Sequence, residues 1–127
     1  MTDTGIKELA TAWVIAQAAP EPPDDQAWQH VFAVQRLQDD KPEILWQFIL
    51  QVLELGPTES VRGMLAAGPL EDLIHAHGAM FIDRIAQEAE RNPAFADLLP
   101  GVWLSAADDP VTLRFVGLGC DIVQAAV

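Results

Sequence analysis

An all-α single domain is the fold class this sequence predicts, and three observations predict it. Apolar residues recur at the i, i+3, i+4, i+7 spacing of a helix face from Ile6 onwards to Arg91. The stretches so marked are bounded by Asp, Thr, Asn, Gly and Pro where helices start and stop. The chain has 127 residues, 50% of them apolar, enough for one core without disulfides or a structural metal. The expected arrangement is seven to nine short antiparallel helices in a single domain over residues 1–127, with a HEAT-like helical stack as one form of it.

The first helix carries a stripe of Ile6, Leu9, Ala10, Trp13 and Val14, which polar Gln17 closes. Pro20, Pro22 and Pro23 cannot continue it and make residues 20–25 a loop. Asp24 or Asp25 caps a second helix with Trp28, Val31, Phe32 and Leu37 on its apolar face. Asp40-Lys41-Pro42-Glu43 opens a third, with Pro42 in the first turn and Glu43 spaced from Asp40 as in a capping box. Leu45, Phe48, Ile49, Val52 and Leu53 form its stripe, and Gly56-Pro57 ends it.

Thr58 caps a fourth helix, with Val61, Met64 and Leu65 on one face, and Gly68-Pro69 is read as its break. Pro69 then starts a short fifth helix whose inner side is Leu70, Leu73 and Ile74. After Gly78, Phe81, Ile82, Ile85 and Ala89 oppose Asp83, Arg84, Gln87, Glu88 and Arg91, a clear amphipathic pattern. Asn92-Pro93 stops that helix, a short helical turn covers Ala94–Leu99, and Asp109-Pro110 begins the last segment. Val111–Val116 has strand propensity, and Gly117 and Gly119 weaken a helix; the helical context decides for helix. Trp46, Phe48, Ile49, Leu53, Leu65, Leu70, Leu73, Phe81, Ile82 and Ile85 are the expected core, and the tryptophans belong mainly to it.

Seven basic residues against nineteen acidic ones set a formal charge of −12, spread evenly along the chain. That charge argues against nucleic acid, whose phosphates are neutralised by Lys and Arg, and against an anionic membrane surface. No apolar run reaches the roughly 18 residues of a membrane span. Met1-Thr2-Asp3-Thr4 lacks the basic start of a signal peptide, so a cytoplasmic location is expected. The single cysteine, Cys120, leaves no intrachain disulfide and no multi-cysteine zinc site.

One string is distinctive: Ala66-Ala67-Gly68-Pro69-Leu70-Glu71-Asp72-Leu73-Ile74, followed by His77-Gly78. Phe81-Ile82-Asp83, Asn92-Pro93-Ala94-Phe95 and Gly101-Val102-Trp103 lie downstream, and Pro42-Glu43 with Trp46 and Ile49 upstream. With these motifs, from about Trp28 to Trp103, the chain resembles DUF6869, a family of uncharacterised bacterial proteins. The resemblance implies a small helical domain and brings no activity or site residues with it.

Glu71, Asp72, His75 and His77 are the only cluster of ligand-type residues. Glu71 and His75, one turn apart, share a helix face and could act as an acid/base pair or hold a metal. His75 and His77 point about 200° apart on a helix and cannot chelate one ion together. The simpler reading places Glu71 and Asp72 in the first turn of a short helix and the two histidines in its last turn, each sign matching the dipole. Asp24-Asp25, Asp39-Asp40 and Asp108-Asp109 each precede an expected helix and read as N-caps. Cys120, in an apolar stretch without a basic neighbour, reads as a buried filler.

With caps and stripes explaining nearly every unusual residue, the expected role is non-enzymatic binding of a basic protein, without cofactor or metal. An inhibitor of the immunity type, masking a basic nuclease-like toxin, fits best. The expected contacts are the helix-start carboxylates Asp24, Asp25, Asp39, Asp40, Glu71, Asp72, Asp108 and Asp109. The alternatives are a small metal-dependent hydrolase centred on Glu71, Asp72 and His75, and a structural or oligomerising helical protein.

Overall fold

Helices follow one another almost without interruption in the computed structural model, which describes residues 2–18, 25–104 and 109–122, apart from the side chains of 25–28, 30, 38–40 and 122. The order is α1 (Asp3–Ala18), α2 (Asp25–Asp40), α3 (Pro42–Glu54), α4 (Glu59–Leu65), a π turn (Ala66–Leu70) and α5 (Glu71–Arg91). Then come α6 (Pro93–Ala96), a 3₁₀ turn (Leu99–Gly101), β1 (Trp103–Leu104), α7 (Pro110–Leu118) and β2 (Asp121–Ile122). The fold is all-α. Its non-helical addition, which the sequence does not announce, is a two-residue parallel pairing that sets Trp103 opposite Asp121 and Leu104 opposite Ile122.

Several local signals act as read. The Thr58 hydroxyl accepts the Val61 N–H at 3.3 Å at the start of α4. Asp109 Oδ1 accepts from Val111 N–H at 3.0 Å, and Asn92, read only as a helix stop, also caps α6, its Oδ1 accepting from Phe95 N–H at 3.3 Å. Each satisfies a first-turn donor that the helix itself cannot. Val111–Val116 lies within helix α7. Asp39 and Asp40, in contrast, do not cap α3: they are the last residues of α2, and the N-cap of α3 is Lys41, without a side-chain hydrogen bond. Glu43 does not close a capping box but reaches to Arg84 on α5 with both oxygens, one at 2.7 Å.

The largest correction concerns the expected breaks at Gly68-Pro69 and Gly78. Residues 59–91 form one helical run with two irregularities rather than three helices. The Glu71 N–H bonds to the Ala66 carbonyl, an i→i−5 link, so the backbone widens by one residue around Pro69. A proline has no N–H to give and its ring crowds the carbonyl four residues back; the wider turn accommodates both. At His77 (φ −139°, ψ 25°) the helix kinks without ending. Gly78 is instead a packing position. A Cβ built on it would lie 3.0 Å from Phe115 Cε2 and 3.6 Å from Val111 Cγ1, both on α7.

The core gathers at the junction of α1, α3, the π turn and α5, with α6, β1 and α7 closing one side. Phe48, Ile49, Val52, Leu65, Leu70, Leu73 and Ile85 are fully buried, and Trp46, Phe81 and Ile82 nearly so. Leu53, expected inside, is only partly buried. Phe32 and Met64, expected on apolar faces, are exposed. Of the tryptophans, Trp13 and Trp46 are core, Trp103 is about half exposed, and the Trp28 side chain lies outside the described residues. Arg84 lies over the Trp46 and Phe81 rings, 5.6 and 4.9 Å from their centroids, while it holds Glu43. One long side chain thus ties α3 to α5.

Glu88 makes the fold sensitive to acid. Its side chain is buried, which works against its charge, but hydrogen bonds from Arg91 (2.6 Å) and Asn92 (3.1 Å) outweigh that and lower its pKa. The Arg84 hydrogen bond lowers that of Glu43 likewise. A depressed carboxylate stabilises the fold above its unfolded pKa and loses that contribution as pH falls through the folded value. The melting temperature of the wild type should therefore drop below the ordinary glutamate range, and drop less in Glu88→Gln. Thermal melts between neutral and acid pH check this; parallel curves would show that Glu88 is not the titrating group.

Candidate functional site

The π turn decides which residues α5 presents to its neighbours. One residue more per turn rotates everything downstream by about 100° relative to an unbroken α-helix. In the resulting register Glu71 and His75 face β1. Glu71 Oε1 accepts the Trp103 N–H at 2.7 Å, and His75 Nε2–H donates to the Trp103 carbonyl at 3.1 Å. That bond fixes the His75 proton on Nε2, since a carbonyl only accepts. On the other side of the strand, Asp121 N–H bonds to the Val102 carbonyl at 3.0 Å. Trp103 is thus gripped by both backbone groups while its side chain stands half exposed.

This placement corrects the dipole reading of the cluster. Glu71 and Asp72 open α5, but not at a free helix end, because Leu70 before them is helical and the Glu71 N–H is already bonded. His75 and His77 lie in the first third of a 21-residue helix, not in its last turn.

Beyond the clamp, α5 and α7 bound a cleft of about 540 Å³. His75, His77 and Met80 line it from the kinked part of α5, and Asp109, Val111 and Thr112 from the start of α7. Arg114 on α7 pairs with Asp83 on α5 at 2.9 Å. Met80 and Leu113 are exposed on these two helices.

Asp72 points elsewhere. It lines a groove of about 230 Å³ where α1, α2, α4 and the π turn meet, with Trp13, Val31, Val34 and Met64. Burial, and then the charge of Glu71, raise its pKa above the ordinary aspartate value, against a smaller lowering by His75. No hydrogen bond or ion pair from a described residue meets its carboxylate. Cys120 is buried as expected, and burial together with Asp121 pushes its thiol up to about 12, which keeps it protonated and unreactive at neutral pH.

The three expected contact residues whose side chains are described therefore do not share one place. Glu71 serves β1, Asp72 the groove, and Asp109 the start of α7 at the cleft. Asp24 and Asp108 lie outside the described residues. Asp25, Asp39 and Asp40 are placed on α2 by their backbone, with side chains outside the description. Of the hydrolase set, Glu71 and His75 come together, on a backbone rather than around a vacancy, and Asp72 does not join them. Among the described residues no group of three or more His, Cys, Asp or Glu lies close enough to share a metal ion. No helix among them is long and apolar enough to cross a membrane.

Sequence reasoning missed both the Trp103 seat and the groove. A backbone partner about thirty residues away leaves no trace in a local pattern, and the groove needs four elements to exist. Over residues 16–117 the chain matches the model of a family of unknown function (DUF6869), a longer stretch than its motifs mark, reaching into α7. No curated protein and no solved structure matches it.

Proposed function

The chain belongs to DUF6869, and since that family carries no assigned activity we propose, from its charge and surface, that it is a binding protein for a basic partner and has no catalysis of its own. The observation that carries this reading is the −12 charge together with how few cations answer it. Three of the seven basic residues, Arg84, Arg91 and Arg114, are each already committed to one carboxylate. The remaining acidic excess accelerates encounter with a positive surface and repels a negative one. Glu71 and His75 are engaged with the Trp103 backbone, which supports a structural use of these two over a hydrolytic one. Inhibition of a basic toxin in the cytoplasm, in the manner of an immunity protein, is the specific form that suits a small acidic helical domain.

The test is association kinetics with the partner recovered by affinity capture of the intact chain. A steered encounter should slow at least tenfold between low and near-physiological salt, where charges are screened beyond about 8–10 Å. Asp39→Asn with Asp40→Asn should lower the on-rate more than it raises the off-rate. An acidic partner, or an on-rate indifferent to salt, overturns the reading. Stoichiometric metal with turnover lost in His75→Ala overturns its non-enzymatic part.

A further inference from the structure

Resting on the reading of a basic partner, we propose that the groove beside the π turn is the seat of one arginine side chain of that partner, with Asp72 as its counter-charge. Trp13, Val31, Val34 and Met64 make apolar walls, and Gln17 and Gln35 are also among the lining residues. At about 230 Å³ the groove is smaller than the usual pocket for a drug-sized ligand and has room for one side chain. An arginine stem packs along such walls while its charged head reaches a carboxylate.

The chemistry favours guanidinium over ammonium. The carboxylate is half-buried, and a guanidinium is the more weakly hydrated cation, so it loses less on entering. Its five donors in a planar fork can serve Asp72 and the oxygen of a lining glutamine together. Among the described residues the groove lining contains no Lys, Arg or His to hold the carboxylate of a free amino acid, which points to an arginine carried on a chain. Met64 is about half exposed over the groove, a flexible apolar side chain that can close on a stem.

Asp72 also makes no hydrogen bond or ion pair with a described residue that would offset the partial burial of its charge. The fold carries its desolvation and its repulsion from Glu71 against only a smaller attraction from His75, the expected signature of a residue kept for a ligand. Since the folded pKa is raised, the ionised form weakens the fold, and this weakening appears as pH rises through the unfolded and then the folded pKa. Asp72→Asn should therefore melt at the same temperature as the wild type or higher at neutral pH.

The deciding experiment is a titration of the isotope-labelled full chain with Nα-acetyl-arginine methylamide, followed by amide chemical shifts. Saturating shifts should centre on Gln17, Val34, Gly68 and Asp72. The neutral citrulline analogue should give none, and the lysine analogue weaker ones. Asp72→Asn should weaken binding about tenfold, the value of one charge-assisted hydrogen bond, whereas Asp97→Asn should leave it unchanged. Shifts scattered over the exposed carboxylates, or binding that survives Asp72→Asn, overturn the arginine seat while leaving the basic-partner reading in place. An acidic physiological partner overturns that reading but not the shift map. The wild-type map stands by itself should the variant fail to fold.

Discussion

Phe48→Ala is expected to lower the free energy of unfolding by about 3–5 kcal/mol, the range for truncating a fully buried aromatic. Phe48 has no exposed surface and meets the edge of Trp13 at a centroid distance of 5.6 Å and 88° between planes. That T-shaped pair joins α3 to α1, so truncation removes the ring's burial, leaves a void, and takes away the preferred ring geometry together. Against a total stability of about 5–15 kcal/mol for a domain, the loss is severe. Urea denaturation with an unchanged m-value measures it. Ile15→Ala, on the exposed face of α1, should stay within about 0.5 kcal/mol. A loss at Phe48 below about 1 kcal/mol would mean that α1 does not pack on α3 as described.

Gly78→Val is expected to destabilise by about 1–3 kcal/mol, the cost of overfilling a packed site. Its Cβ alone would stand 3.0 Å from Phe115, which is fully buried and cannot withdraw into solvent, and the added methyls would press on Val111 and Ile74 as well. The strain is relieved by moving α7 away from α5, which widens the cleft between them. Gly117→Ala supplies the opposite sign. It lies within α7 with nothing inside 4 Å of a built Cβ, so alanine should add roughly 0.5–1 kcal/mol through helix propensity. Should Gly78→Val prove neutral or stabilising, the close approach of α5 and α7 is wrong.

Gly78 shows where sequence reading stops. A glycine in a periodic apolar pattern signals a helix boundary or a close approach, and the local pattern does not choose between them. The choice was made by Phe115, 37 positions later in the chain. Pro69 makes the same point from the other side. A proline costs a helix about 3 kcal/mol, which justifies reading a break. Leu65, Ala66, Leu70 and Leu73 around it are all buried, and holding them in one run is worth more than that. The π turn reconciles the two demands.

The errors on exposed faces have a related cause. The 3.6-residue period that points to Phe32 and Met64 tolerates one position either way, and the neighbours decide the actual rotation. Asp39 and Asp40 read as caps because Asp before Lys-Pro suits a helix start. The preceding helix simply ran on through them.

What the sequence determined by itself is the helical class, most helix ends, most of the buried stripe from Ile6 to Ile85, and the acidic excess. Each of these is encoded within about four residues or in composition, and so survives without knowledge of the neighbours. What only the tertiary structure decided is the joining of residues 59–91 into one run, the seating of Trp103 between Glu71 and His75, and the groove in which Asp72 stands. Those features depend on which distant segments lie side by side. A carboxylate carries the same local signal whether it caps a helix, grips a backbone amide or lines a groove; its use is set by what packing brings within about 3 Å of it.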